Sequence, residues 1–200
     1  MLRSLVLSLM LVTVLAPSAD TAVVLERTPE QDARLATGEV VVSPALPPGA
    51  DVGALGGTVA ALVHASPDAV WDVLVDYPSH SGLFPRVVGA QVLESAGRRT
   101  LVRYVIAVGP FSFGFHVNNY PDPGHRQLDW RLADDRRNDL FRASSGYWRL
   151  EPHRDGVVVT YAMAARTFLP AFLTRGAERD GLVETIKAVR ARAEQRPRHS

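Results

Sequence analysis

Apolar and polar residues alternate along most of the chain after Gly57, which is the pattern of half-buried β-strands. Six stretches carry this alternation, at 87–95, 99–108, 111–120, 127–133, 139–150 and 156–167. The links between them are only a few residues long and are rich in Gly, Pro, Asn and Asp. Because parallel strands need a crossover of a dozen or more residues, the pattern predicts an antiparallel sheet.

Helices are predicted where apolar residues recur every three or four positions. The first opens at Ser66, an N-cap residue followed by Pro67, and carries Val70, Val73 and Leu74 on one face. The second ends near Gln195, and its apolar stripe consists of Leu182, Ile186, Val189 and Ala193. Gly176 and Gly181 predict a break ahead of this stripe, after a short helix near 171–175.

Two further strands are predicted earlier in the chain, at Gly38–Ser43 and at 58–65. A sheet of this size has one apolar face that must be covered, and the last helix is the long apolar helix available for it. The expected fold is therefore α+β, with a curved antiparallel sheet wrapped around the C-terminal helix.

Three phenylalanines, Phe111, Phe113 and Phe115, occupy alternate positions of one predicted strand and so share a face. They can fill a core, line a cavity for an apolar molecule, or form an exposed patch. The sheet interior is the expected location, because monomers rarely expose so contiguous an aromatic patch. Core filling and cavity lining both remain open.

The N-terminus has the pattern of a secretory signal peptide. Arg3 precedes an uncharged, mostly apolar run from Ser4 to Leu15, and the small residues Ala16, Ser18 and Ala19 follow. A membrane anchor is the alternative, but a bilayer-spanning helix needs roughly 20 apolar residues, more than this run contains. We therefore expect cleavage after Ser18 or Ala19 and a location in the periplasm or outside the cell.

This assignment divides the chain into three parts: a signal peptide at 1–19, a leader with one short strand at 20–56, and one ligand-binding domain at 57–195. Hydrophobic residues make up 46% and charged residues 22% of the chain, which is typical of a globular domain. The formal net charge of +1 and the lack of a basic stripe exclude nucleic acid as an expected partner. No cysteine is present, so no disulfide scaffold can form.

Catalytic and metal-binding patterns are absent from the sequence. The six histidines lack the spacing that places two imidazoles on one metal ion, so we predict neither a metal nor another cofactor. Asp76 and Tyr77 end the first helix and are the best polar candidates for a mouth or hinge, but we interpret them as a structural pair. Alternation turns Arg142 toward the sheet interior, unless a bulge or the end of the strand exposes it to solvent.

Several blocks of the sequence match a known superfamily in order: "GEVVV", the strand-to-helix passage "VHASPDAVWDVLVDYPSHSGLFP", "LDWRL", "FRASSGYWRLEP" and "VVVTYAMAARTFLPAFL". Over about residues 37–193 the chain resembles the START-like superfamily, also called the polyketide cyclase/dehydrase and lipid-transport group or SRPBCC. It is most similar to the exported and coenzyme-Q-binding-like members. The resemblance implies the helix-grip fold, with a cavity between the sheet and the long helix that holds a hydrophobic small molecule.

In that arrangement several large side chains point from the sheet toward the long helix. The candidate ligand-binding residues implied by the resemblance and the alternation are Trp71, Tyr77, Tyr104, Phe111, Phe113, Phe115, Trp130, Arg142, Trp148, Tyr161, Met163, Phe172, Leu182 and Ile186.

Three functions remain open at this point. The preferred one is a periplasmic or secreted carrier of a lipid, quinone or polycyclic compound. The second is a cyclase or dehydratase that uses Tyr104, Tyr161, His116 or Arg142 as acid, base or oxyanion donor. The third is an interaction module whose own side chains fill the cavity. A hydrophobic small molecule is the expected partner, while a transient membrane contact and the oligomeric state are left open.

Overall fold

A computed structural model describes residues 27–168 and 177–195. In these residues the helices are α1 (Pro29–Ala36), α2 (Pro67–Val75), a 3-10 helix (Tyr77–His80) and α3 (Ala177–Glu194). The strands are β1 (Val41–Ser43), β2 (Leu55–Val63), β3 (Val87–Ala96), β4 (Arg99–Val108), β5 (Phe111–Asp122), β6 (Gln127–Leu132), β7 (Phe141–His153) and β8 (Gly156–Thr167).

All eight strands form one curved antiparallel sheet with the order β1-β2-β8-β7-β6-β5-β4-β3. Strands β3 to β8 follow each other as a meander, and β2 pairs with β8 over nine residues. Helix α3 lies across the concave face and packs against β2, β8 and α2. The predicted α+β helix-grip architecture is confirmed.

Helix α2 begins where the sequence predicts it. The Ser66 hydroxyl accepts a hydrogen bond from the Ala69 backbone N–H at 3.1 Å, and Pro67 occupies the first turn. After Val75 the Asp76 carboxylate accepts a hydrogen bond from the Ser79 hydroxyl at 2.6 Å, at the start of the 3-10 helix. This contact supports the structural interpretation of Asp76.

The main core lies between the concave face of the sheet and helices α2 and α3. The predicted stripe of α3 is fully buried in it, in the same apolar cluster as Val59, Leu74 and Leu128. Full burial of one such aliphatic side chain contributes about 1.5–3 kcal/mol. Burial of this stripe therefore holds α3 on the sheet.

Helix α1 corrects the prediction that residues 20–56 hold one short strand and no helix. Thr28 and Gln31 form a capping box, in which the Gln31 N–H donates to the Thr28 hydroxyl at 3.2 Å. Leu35 is buried on the convex face against a small cluster that includes Leu62 and Val158. Capping and this contact make the segment helical despite its leader-like composition.

Two predictions fall on residues outside the described ranges, namely the signal peptide at 1–19 and the short helix near 171–175. None of the helices in the described ranges is long and apolar enough to cross a bilayer.

Candidate functional site

Half-buried apolar side chains line the concave face toward the end of the sheet where β5 and β7 begin. They pair across neighbouring strands: Phe115 lies opposite Tyr104, and Gly146 lies between Trp130 and Met163. The Phe115 and Phe141 rings meet edge to face at 4.9 Å between centroids. We call this group the concave site, and it consists of Phe113, Phe115, Trp130, Phe141 and Met163.

Gly146 shapes the floor of the concave site. A Cβ atom at this position would lie 2.6 Å from Trp130 Cζ2 and even closer to the Ala162 carbonyl oxygen. Only glycine therefore lets the Trp130 ring lie over β7. The neighbouring Ser144 is buried, so small residues occupy this part of the strand as expected, although the space accommodates Trp130 rather than the helix.

A series of aromatic rings links strands β7 and β8 to the 3-10 helix. Trp148 is only 4% exposed and stacks on Tyr161 at 4.0 Å between centroids. The Phe84 ring is also stacked near Trp148, at 6.2 Å between centroids, and Phe84 in turn lies 4.2 Å from His80. Trp148 and Tyr161 thus face inward as predicted, but as packed members of the core.

His80 is a buried polar residue that the sequence analysis did not select. Its Nε2 lies 3.2 Å from the Val73 carbonyl oxygen, which can only accept, so Nε2 carries the proton. Nδ1 then accepts a hydrogen bond from the Tyr104 hydroxyl at 2.9 Å. Burial lowers the pKa of His80 to about 4, so the imidazole is neutral at pH 7.

Three tyrosine hydroxyls lie in the same interior. Burial raises the pKa of Tyr104, and the nearby Tyr77 and Tyr161 hydroxyls add to the effect. Burial also raises the pKa of Tyr161 and raises that of Tyr77 to about 12. All three therefore stay protonated at neutral pH and can donate hydrogen bonds.

Two of these hydroxyls have weak or missing partners. The Tyr161 hydroxyl points at the Met163 sulfur at 3.5 Å, a weak acceptor. The Tyr77 hydroxyl is buried without a hydrogen bond of standard geometry, although the Thr100 side chain lies near it. The Tyr161 hydroxyl, beside half-buried Met163, is the one placed next to the concave site.

The other predicted ligand-binding residues lie elsewhere. Trp71, Leu182 and Ile186 are buried in the core, and Phe172 lies outside the described residues. Phe111 is on the predicted face but is 66% exposed, because it is the first residue of β5 and only Val108 lies opposite. Phe111 therefore lies outside the concave site as defined, and its part in ligand binding stays a prediction.

Arg142 does not face the interior, because the bulge that the sequence analysis named as the exception is present. The register between β7 and β8 shifts between Phe141 and Ala143, which makes Arg142 the extra residue of a β-bulge. Its side chain is exposed, and the guanidinium lies 4.9 Å from the centre of the Phe168 ring. Because of the bulge, the protein avoids the energetic cost of burying an unpaired guanidinium.

His116 is also separated from the interior tyrosines. It alternates with Phe115 and Val117 and pairs with Arg103, which places it on the convex face. There its Nδ1 lies 3.0 Å from the Arg137 carbonyl oxygen. Across the described part of the chain, no group of three or more histidines and carboxylates is arranged to hold a metal ion.

The convex face carries a separate open groove of about 830 Å³ between the 47–54 loop and strands β6, β7 and β8. Charged and polar side chains line it together with apolar ones, and they include Asp129, Arg131, Tyr147, Arg149 and Arg166. Alternation puts these five residues on the opposite face from Trp130 and Trp148. The groove therefore lies mainly on the other face of the sheet, although Trp130 of the concave site also borders it.

The sequence profile of the family described as polyketide cyclase/dehydrase and lipid transport matches residues 63–190. The chain belongs to this family. The match runs from the end of β2 into α3, so it includes every strand that contributes to the concave site. No functionally curated protein matches the sequence significantly.

Solved structures similar to this polyketide cyclase/dehydrase and lipid-transport family member include a lipid transfer protein and an aromatase/cyclase. A STAR-related lipid transfer protein from Xanthomonas axonopodis is 20% identical with a TM-score of 0.63, over 78% of this chain and 93% of that one. The Zhui aromatase/cyclase from Streptomyces sp. R1128 is 22% identical with a TM-score of 0.56, over 70% and 92%.

A START superfamily protein from Mycobacterium smegmatis is 19% identical with a TM-score of 0.58, over 79% of this chain and 99% of that one. At these identities the likeness establishes the fold and leaves the activity open.

Proposed function

We propose that this protein is an exported carrier that holds a hydrophobic small molecule at the concave site. The observation that carries the proposal is the row of half-buried aromatic and apolar side chains on the concave face, beside the packed core. Such side chains gain about 25 cal/mol per Å² of apolar surface that a ligand removes from water. The lipid transfer protein of the same fold supports this choice.

The polar groups of the interior fit a binding role. The Tyr161 hydroxyl has only a thioether partner, so a ligand oxygen can accept a stronger hydrogen bond from it. A lipid, quinone or polycyclic compound with one carbonyl or hydroxyl group has the required chemistry. Apolar burial then provides affinity, and Tyr161 provides orientation.

A cyclase or dehydratase is the second candidate, favoured by the His80–Tyr104 hydrogen bond and by the aromatase/cyclase relatives of the fold. The geometry of His80 weighs against it. Both ring nitrogens already have partners, so no lone pair is free to remove a proton from a substrate. The carrier therefore ranks first.

The carrier proposal is tested on protein purified from its native host, by organic extraction followed by mass spectrometry. A stoichiometric apolar compound supports it. A protein that contains no compound and binds no apolar probe dye contradicts it and favours the interaction module. Intact mass of the same sample tests export, because loss of the first 18 or 19 residues is expected.

Phe113→Ala is expected to weaken binding of an apolar probe dye. It should lower the free energy of unfolding by clearly less than the 3–5 kcal/mol typical of truncating a packed phenylalanine. Phe113 is only half-buried opposite Ile106, so its ring has fewer protein neighbours to lose. Dye titration and chemical denaturation of the ligand-free protein measure the two effects. Phe111→Ala, at the exposed end of the same strand, is the matched control and should change neither quantity. A full core-sized loss of stability with unchanged dye affinity would place Phe113 in the core instead.

A further inference from the structure

Most of the exposed large apolar side chains lie at one end of the sheet. Among the described residues, six of the eight lie within a few positions of a strand end, at the start of β2, β3 or β5 or at the end of β4 or β8. Because the sheet is antiparallel, these strand ends all lie at the same edge. We call this edge the apolar rim; its members are Val52, Leu55, Val88, Val108, Phe111 and Phe168. Phe111 is 66% and Phe168 54% exposed.

The opposite end of the sheet has a different composition. Its turns between β3 and β4, β5 and β6, and β7 and β8 carry charged side chains, among them Arg98, Asp122, Arg126 and Asp155. Most of these charges are joined in ion pairs. The apolar rim is therefore a property of one end of the molecule and does not reflect a generally apolar surface.

Two arginines flank the apolar rim without a carboxylate partner among the described contacts. Arg142 lies over the Phe168 ring, and Arg86 precedes β3 with its carbonyl oxygen accepting from the Ala107 N–H at 2.8 Å, beside Val108. Two other arginines of this end are paired, Arg137 with Asp139 and Arg166 with Asp51. Arg86 and Arg142, next to the apolar side chains, have no such pair among the described contacts.

The link between β6 and β7 carries acidic residues, but it lies beside the middle of β5, away from the apolar rim. Its Asp139 N–H donates to the Gly114 carbonyl oxygen at 2.9 Å, and its Ala133 N–H donates to that of His116 at 2.8 Å. The link therefore runs alongside β5 three or more residues short of Phe111. The hairpin tip at Val108–Phe111 extends past these carboxylates.

From this placement we propose that the apolar rim is a docking surface for an anionic phospholipid bilayer. Phe111 and Phe168 enter the boundary between head groups and acyl chains, while Arg86 and Arg142 meet the phosphates. The rim borders the concave site, since Phe111 continues the row of Phe113 and Phe115. The inference extends the proposed carrier function, because docking at this end brings the concave site to the membrane.

Vesicle flotation tests the proposal on the mature protein. Wild type should float with vesicles of phosphatidylglycerol and phosphatidylcholine and less with phosphatidylcholine alone. Phe111→Ser combined with Phe168→Ser should weaken partitioning by about tenfold or more, since each ring withdraws from the apolar phase. Arg142→Gln should reduce binding to the anionic vesicles and leave binding to phosphatidylcholine unchanged.

The matched control is Leu93→Ser, which removes an exposed apolar side chain of β3 that is 40% exposed and remote from the rim. It should bind vesicles as wild type does. Lack of wild-type binding, or equal losses in Leu93→Ser and the double variant, would overturn the proposal. Dye affinity in solution, measured on the same proteins, tests the concave site separately. The double variant should bind the dye as tightly as wild type does. If wild type does not bind the dye, the carrier proposal fails, whereas the vesicle result still tests docking.

Discussion

Trp148→Ala is expected to lower the free energy of unfolding by about 3–5 kcal/mol. The side chain is 4% exposed and its ring stacks with those of Tyr161 and Phe84, so its removal leaves a cavity bordered by two large aromatics. The packed strands β7 and β8 cannot collapse into this space without breaking their hydrogen bonds. Chemical denaturation of the ligand-free protein measures the loss.

Trp130→Ala is the matched comparison, because the same residue type stands on the neighbouring strand but is half-buried at the concave site. Its truncation should cost clearly less stability and should reduce affinity for an apolar dye. If the two variants lose the same stability and Trp130→Ala binds dye normally, the division between core and concave site is incorrect.

Acid is expected to destabilise the protein through His80. Its pKa is about 4 in the folded chain and close to 6.5 when unfolded, so the unfolded state binds the proton more tightly. Stability from this group is therefore complete above pH 6.5 and is lost as the pH falls toward 4. The loss amounts to about 3 kcal/mol, at about 1.4 kcal/mol per pKa unit.

His80→Gln isolates this contribution from the carboxylates that titrate in the same range. The variant should be less stable at pH 7, because the Tyr104 hydrogen bond changes, but its stability should fall less steeply between pH 6.5 and 4. Equal slopes in wild type and His80→Gln would show that His80 is not held neutral by the fold.

The strands and the long helix could be predicted from the sequence because they depend on local alternation and periodicity. Strand β4 has its predicted bounds, Arg99–Val108, and the stripe from Leu182 to Ala193 is buried as expected. Helix α1 was missed, although Thr28, Pro29 and Gln31 form a recognisable cap. The proline and glycine content of the surrounding segment masked that local pattern.

The site was less predictable, because contacts between distant residues decide it. Arg142 turns outward at a bulge that exists only through the register of β7 against β8. His80 is buried because Tyr104 and Val73 converge on it from separate elements. Neither relation leaves a periodic trace in the sequence, whereas the inward direction of Trp148 follows from alternation within one strand.

The pairing of β2 with β8 has a consequence for how the chain is made. Val59 pairs with Tyr161, more than a hundred positions later. Strand β2 therefore cannot pair with β8 until nearly the whole polypeptide has been synthesised. Contacts so distant in sequence slow folding, since a long loop must be ordered before they form. Under the proposed export, this delay favours translocation, since it leaves more time before the chain is folded.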